Sequence, residues 1–298
     1  MRNLDLATLR ALVAVADAGG VTRAAGFLNL TQSAVSMQLK RLEEMLDAQL
    51  LDRTGRGVAF TADGDLLLTY ARRMVAMNDE AVARLMQQAP TGTIRLGVPH
   101  DIVYPAIPQV LKQFNAIFPT VQIVLESSHT NRLKDLFSKG ECDVILTTET
   151  EVQAGGITLA TRPLHWVGAP GGAAWRQRPL SIAYGRNCTF RPIAVGALDA
   201  ADIQWQMLVE TDNDSTIFAT VSADLAIHTA IEGTEPQQMA RIKHGGALPE
   251  LPPQRINLYR ADGTLTEPLE QLVALLTQTI CDKGQLPQDA RPLEATTG

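Results

Sequence analysis

The chain is poor in cysteine, in aromatic residues and in long apolar runs. Three cysteines occur in 298 residues, Cys142, Cys188 and Cys281. They are odd in number and widely separated, which argues against a disulfide framework or a CxxC pair and fits a reducing compartment. No apolar run approaches the ~20 residues that cross a bilayer as a helix. The opening stretch MRNLDLATLRALVAVADAGG carries Arg10 and Asp17 and has no uninterrupted apolar core. It reads as a folded helix rather than a signal peptide, so a cytoplasmic protein with no membrane partner is expected. GxGxxG, GxxxxGK, HExxH and GxSxG are all missing. His100, His129, His165, His228 and His244 are scattered without metal-ligand spacing. The expectation is therefore a protein that is not an enzyme, with no catalytic residues, no metal and no cofactor.

What is present is an ordinary globular composition, 45% hydrophobic and 19% charged, over a length that suggests two or three domains. The net charge is −6, so the whole chain is no general attractor of nucleic acid. The segment up to Phe60 holds Arg2, Arg10, Arg23, Lys40, Arg41, Arg53 and Arg56 against Asp5, Asp17, Glu43, Glu44, Asp47 and Asp52. It is near neutral, and the acidic excess lies beyond it.

Periodicity predicts a first helix over 4–18, with Leu6, Leu9, Val13 and Ala16 inward, ended by Gly19 and Gly20. Thr22 can cap a second helix. Asn29 and Leu30 make a tight turn, and Thr31 caps a third helix whose Val35, Leu39, Leu42 and Leu46 form one buried face. Helix, short turn and capped helix make a helix-turn-helix. RTGRGVAFT follows as a small β-wing. A long helix without proline then runs from Thr61 to Ala89, with Thr61 as N-cap. Leu67, Tyr70, Met74, Met77 and Ala81 form one stripe on it; Leu68, Ala71, Val75, Val82 and Leu85 form another. Such a helix is suited to pairing with a second copy, the alternative being packing along its own domains. Pro90-Thr91-Gly92 reads as a hinge, after which strands and helices alternate and predict a parallel sheet with helices on both faces.

The stretch RAAGFLNLTQSAVSMQLKRLEEMLDAQLLDRTGRGVAFTADGDLLLTYARRM resembles the LysR-type transcriptional regulators. It carries the A-A-x-x-L, the S-A-V-S-x-Q recognition segment, the wing with Arg53 and Arg56, and the start of the linker helix. Leu51 stands where the family favours Phe, and Asp63 where it favours Ala. RLGVP, WVGAPGG, CTFR and INLYR are similar to the LrhA/HexA branch. The resemblance implies a winged helix-turn-helix over 1–60, a linker dimerisation helix over 61–89 and a hinge at 90–92. It further implies an α/β periplasmic-binding-protein-like effector domain over 93–286 and a flexible tail over 287–298. The effector domain would divide into subdomain I (93–161 and 263–286) and subdomain II (162–262), with ligand bound between them. VSADLAIHTA departs from the family pattern, which places glycines near Asp224 and Ala226.

By this resemblance the protein is a sequence-specific regulator on dyad-symmetric, double-stranded promoter DNA. It would act as a dimer through the linker helix, or a homotetramer, in reach of RNA polymerase. The branch implies repression of motility, secretion or virulence genes. The outer face of 31–46 would meet the major groove. Gln32 suits adenine, Ser33 and Ser36 bases or phosphates, Met37 a thymine methyl, and Lys40 and Arg41 phosphate or guanine. Thr22 and Arg23 would lie on phosphates, and Arg53 and Arg56 at the minor groove or flanking backbone. Each residue also has a plain reading: Thr31 as a cap, Met37 as core, Lys40 and Arg41 with Glu43 and Glu44 as a solvated face.

For the unidentified small-molecule effector, the resemblance points to Pro99, His100 and Asp101, to Ser127, Ser128 and His129, and to Asp214, Ser215 and Thr216, with Thr148 nearby. Ser128 and the helix start at Ser215 would suit a carboxylate; His100 and Asp101 make the site less anion-friendly. The alternative for any of these is an ordinary loop or cap residue. A second possibility is a redox-sensing regulator of the same fold. Cys188 stands between Arg186 and Arg191 just before a helix, a setting that lowers a thiol pKa.

Overall fold

The computed structural model describes residues 3–52, 58–86, 91–261 and 266–281. Helix α1 (Leu6–Ala18) starts where the Asp5 carboxylate accepts the Thr8 N–H, and ends where Gly19 turns left-handed at φ 61°. Gly19 and Gly20 then donate to the carbonyls of Ala16 and Val15. The buried face is Leu9, Leu12 and Val15, whereas Leu6 is exposed and Val13 and Ala16 are only partly covered. The face is rotated from the predicted one because α1 packs against the long helix α4 (Ala62–Leu85), which buries Leu68, Ala71 and Val75.

Helix α2 (Val21–Phe27) has Gly20 as its N-cap and no side-chain capping bond. Thr22 therefore lies within the first turn and is not the predicted cap: the tight exit from α1 sets the cap two residues earlier, at Gly20. Asn29 takes φ 53° in the turn, and α3 (Gln32–Leu46) opens with Thr31 Oγ1 accepting the Ala34 N–H. Val35, Leu39 and Leu42 are buried and Leu46 partly so. Each fully buried side chain of this size contributes about 1.5–3 kcal/mol.

Strands β1 (Leu51–Asp52) and β2 (Ala59–Phe60) pair antiparallel as the base of the wing. Glu43 is no free surface charge: its Oε1 accepts the N–H groups of Leu50 and Leu51 at 2.9 and 3.2 Å, tying α3 to the wing. Thr61 Oγ1 accepts the Gly64 N–H at 3.0 Å and so caps α4 as expected. The predicted end of this helix, the hinge residue Pro90, wing residues Arg53 and Arg56, and the 287–298 tail lie outside the described residues.

The C-terminal domain begins with β3 (Gly92–Pro99), α5 (Ala106–Ile117), β4 (Val121–Ser128), α6 (Thr130–Ser138) and β5 (Val144–Glu149). Strand β6 (Gly156–Arg162) follows, and the chain crosses to a second unit of β7 (Leu164–Gly168), β8 (Leu180–Tyr184), α7 (Phe190–Ala200), β9 (Trp205–Glu210), α8 (Asp214–Ser222), β10 (His228–Ile231) and β11 (Ala240–Arg241). It returns with β12 (Gln254–Arg260) and α9 (Glu267–Ile280).

The first sheet has the order β4-β3-β5-β12-β6. Its first three strands are parallel, but β12 runs antiparallel to both β5 and β6. The predicted all-parallel sheet is thus mixed, because the chain re-enters from the second subdomain in the opposite direction. For the same reason β12 belongs to the first subdomain, although the sequence placed 254–260 in the second. In the second subdomain β8 and β9 are parallel, Ile182 bridges to Ile227, and β7 is flanked antiparallel by β10 and β11. A continuous apolar core runs from Leu96, Val110 and Phe114 under α5 and α9 to Leu180, Ile182 and Leu198. No helix among the described residues is long and apolar enough to cross a membrane.

Candidate DNA interface and effector cleft

The outer side of α3 presents a row at i, i+4 and i+7. Gln32, Ser33, Met37, Lys40 and Arg41 are exposed, opposite buried Val35, Leu39 and Leu42, while Ser36 is half-buried beside the row. Met37 is 54% exposed, so it is not core. Lys40 forms only a loose 3.7 Å pair with Glu44, and both side chains stay in solvent. Thr31 is committed to its cap and lies 3.0 Å from Ser33 Oγ. Thr22 and Arg23 are exposed at the start of α2, with Arg23 Nη2 donating to the Gly19 carbonyl at 3.1 Å. This places a polar, cation-bearing surface with one apolar contact point at the N-terminal part of the second helix of the motif. The described structure contains no partner for it.

The long helix α4 carries two stripes, divided differently from the predicted ones: Val82 and Leu85 leave the inner stripe, and Leu66 replaces Leu67 on the outer one. Leu68, Ala71 and Val75 are buried against the N-terminal domain. Leu66, Tyr70, Met74 and Met77 are 59, 51, 40 and 53% exposed and continue the spacing toward Val82 and Leu85. Ala81 is exposed in line with them, and Leu67 is partly buried on the inner side.

Between the two effector subdomains lies a cavity of about 60 Å³. From the first subdomain it is lined by His100 and Asp101 after β3, by His129 and Thr130 after β4, and by Thr148 at the end of β5. From the second it is lined by Gly185, Cys188, Thr189 and Phe190 between β8 and α7, by Asp214, Ile217 and Phe218 of α8, and by His228 of β10. Most of these follow the carboxyl ends of the parallel strands β3, β4, β5, β8 and β9, where such folds leave room for a ligand. Of the residues expected here, the cavity gathers His100, Asp101, His129, Thr148 and Asp214. Ser127 stands behind them, its Oγ 2.8 Å from His100 Nδ1. Pro99, Ser128, Ser215 and Thr216 do not line it. Ser215 and Thr216 spend their N–H groups on Asn213, which caps α8 through its side chain and carbonyl.

Thr130, Gly185, Thr189, Phe190 and His228 were missed. The rule that ligands sit beyond strand ends could have found Gly185 and Thr189, but nothing local marks His228, which arrives by the pairing of β10 with β7. Asp224 lies where the family pattern favours glycine. It takes φ 58°, and its carboxylate accepts the N–H groups of Ala173 and Ala174, so the loop at 169–175 is clamped by a side chain.

The electrostatics of the cleft follow from burial. Burial pushes Asp101 up to about 6; hydrogen bonds from its own backbone N–H and from Thr148 oppose this, and nearby Asp214 reinforces it. Asp101 Oδ2 is withdrawn from solvent and has no hydrogen-bond partner among the described residues. Burial pulls His228 down to about 4. Its Nδ1 lies 2.8 Å from the Ala183 carbonyl and must donate there, which leaves Nε2 of the neutral ring as an acceptor. His100 is also lowered by burial, against the pull of Asp214, whose Oδ2 lies 3.8 Å from His100 Nδ1 across the cleft. His129 Nε2 faces Asp212 at 3.9 Å in the same way. Among the described residues no group of His, Cys, Asp and Glu is placed to hold a metal ion.

Burial runs against the reactive-thiol alternative for Cys188. Burial pushes its pKa up to about 12, and Asp101 and Asp214 add to this; N–H groups of Phe190 and Arg191 oppose it without prevailing. The arginines that suggested activation are turned elsewhere: Arg191 pairs with Glu210 at 2.5 Å, and Arg186 is exposed. Cys142 is buried and Cys281 partly so.

Residues 6–65 match the bacterial regulatory helix-turn-helix protein, lysR family, and residues 87–280 match the LysR substrate binding domain. The regulator DgdR of Burkholderia cepacia is 32% identical over 86% of this chain and 88% of its own. PecT of Dickeya dadantii is 32% identical over 87% of this chain and 82% of its own. Among solved structures, ArgP from Mycobacterium tuberculosis superposes with a TM-score of 0.70 at 18% identity over 93% of this chain and 98% of its own. CbnR complexed with its target DNA superposes with a TM-score of 0.57 at 17% identity over 93% of this chain and 100% of its own. At such identities the structures show the fold, while the profiles and relatives show the family. The chain belongs to the LysR family: it is a DNA-binding transcriptional regulator with an effector-binding C-terminal domain.

Proposed function

We propose that α3 reads the major groove through Gln32, Ser33, Ser36, Met37, Lys40 and Arg41, with Thr22 and Arg23 on flanking phosphates and Thr31 serving as the cap. Arg53 and Arg56 of the wing complete the contact. The observation that carries this reading is the exposed row on α3 containing Met37, a large apolar side chain left in solvent beside polar and cationic neighbours.

A near-neutral DNA-binding domain gains little from phosphate neutralisation on one half-site. Joining copies raises affinity through effective concentration. The exposed stripe Leu66, Tyr70, Met74 and Met77 on α4 supplies the joint, so the working form is a dimer through the linker helix on a dyad-symmetric promoter, assembled further into a homotetramer. Regulation then runs through access to, or contact with, RNA polymerase, in the cytoplasm. RLGVP, WVGAPGG, CTFR and INLYR support placement in the LrhA/HexA branch, with repression of motility, secretion or virulence genes as its output. The cleft around His100, Asp101, Thr148 and Asp214 takes the effector.

The test is genome-wide mapping of bound sites for the wild type and for Ser33→Glu. Ser33 is exposed, so this change sets a carboxylate against DNA without disturbing the core. Discrete peaks with a two-fold motif in the wild type, lost in the variant, are expected. Identical peaks in both would remove α3 as the reading helix.

A further inference from the structure

We infer that the effector is a small molecule bearing a protonated amine, held by the carboxyl groups of Asp101 and Asp214 in the cleft between the subdomains. This rests on the reading of that cleft as the effector site and runs against the carboxylate suggested by the family resemblance.

Three observations carry it. First, the cavity lining contains two carboxyl groups and three imidazoles, and neither lysine nor arginine. Second, the donors that bind an anion in such a cleft are already used. The start of α8 is satisfied by Asn213 and carries Asp214 in its first turn. At the start of α7 the Arg191 N–H is already donated, to the Cys188 carbonyl at 3.3 Å. Third, the groups left open are acceptors. Asp101 Oδ2 is buried with no donor among the described residues, and His228 Nε2 is the acceptor nitrogen of a neutral ring. Buried polar atoms are nearly always paired, so an unpaired carboxylate oxygen on a residue that lines a cavity marks a place for a donor. An ammonium brings three donors and the complementary charge. The cavity of 60 Å³ has room for on the order of four to six waters, which sets a ligand of a few heavy atoms in this closed form. Thr189 lines the same space, whereas the Thr130 hydroxyl is held by the Thr148 backbone and hydroxyl.

The experiment is calorimetric titration of the full chain at pH 7.5 with ethylamine, ethanolamine and 1,3-diaminopropane, and in parallel with acetate and propionate. Saturable binding of at least one amine is expected, weakened at least tenfold by Asp101→Asn. Thermal melting of the variant shows that it remains folded, and Asp214→Asn repeats the test from the opposite wall. Amine binding that is equal in wild type and both variants overturns the proposal. Binding of the carboxylates and of no amine overturns it while leaving the cleft an effector site. Binding of neither class overturns both the amine and the effector reading of this cleft.

Discussion

Replacing Gly64 with alanine tests how the linker helix is joined to the DNA-binding domain. An ideal Cβ at Gly64 would lie 2.1 Å from the Leu50 carbonyl oxygen, 3.0 Å from the Leu50 carbonyl carbon and 3.2 Å from Phe60 Cδ1. A relaxed C···O contact is about 3.3 Å, so the carbonyl must move by roughly 1.2 Å. That carbonyl accepts the Thr61 N–H at 3.0 Å, and Thr61 in turn donates to Gln49 O at 2.6 Å and caps α4. Alanine in a helix gains about 0.8–1 kcal/mol over glycine. Against this stand about 1–3 kcal/mol of overpacking and about 0.5–1.5 kcal/mol for a stretched hydrogen bond. The net effect is a loss of about 1–3 kcal/mol confined to the N-terminal domain. Native-state hydrogen exchange on the full chain separates the domains, with the buried strand β5 as internal reference. Amides of α3 and the first turns of α4 are expected to exchange roughly 5- to 150-fold faster, since each factor of ten is about 1.36 kcal/mol. Unchanged or slower exchange would show that helix propensity decides at this position, and would refute the close-approach reasoning.

Three further outcomes follow from other parts of the structure. Burial alone would raise the Glu149 pKa, but bonds from Lys134, Thr147, Asn257 and Tyr259 outweigh it and hold it below its usual value. A depressed carboxylate stabilises the fold above its unfolded pKa and loses that contribution as pH falls through the folded one. Urea unfolding should therefore show Glu149→Gln clearly less stable than wild type at pH 7, with the gap closing below about pH 4; a gap independent of pH would contradict this. Cys188, enclosed and with its thiol raised to about 12, should react with iodoacetamide at pH 8 at least about a hundredfold more slowly than glutathione, and equal rates read by mass spectrometry would restore the redox idea. At Asp224, glycine keeps the left-handed backbone but drops the clamp on Ala173 and Ala174, whereas alanine drops the clamp and adds about 1–2 kcal/mol of strain. Thermal melting should rank wild type above Asp224→Gly above Asp224→Ala, and inversion of the two variants would refute the strain argument.

The N-terminal domain was readable from local pattern because its signals are short-range. Caps at Thr31 and Thr61, the glycine stop at Gly19 and the apolar spacing of Val35, Leu39 and Leu42 each act within one or two helical turns. Where the reading failed, a distant element had intervened. The inner face of α1 turned to Leu9, Leu12 and Val15 to meet α4, and Thr22 lost its capping role to the backbone path at Gly20. Glu43, indistinguishable from a surface charge by spacing, is fixed by the amides of Leu50 and Leu51.

The sequence by itself determined the helix-turn-helix, the long linker helix, the βα order beyond it and five of the residues that line the cleft. The elements follow from periodicity, capping chemistry and motif spacing, all of which are local along the chain, and the five cleft residues from the family resemblance that those motifs carry. Only the tertiary structure decided that β12 returns antiparallel between β5 and β6, that His228 lines the cleft, and that burial raises the Cys188 thiol. Strand pairing and burial are set by contacts across more than a hundred residues, such as Glu149 with Asn257 and Tyr259. A side chain's charge state depends on that enclosure. The acceptor-rich character of the cleft therefore became legible only when its walls were assembled.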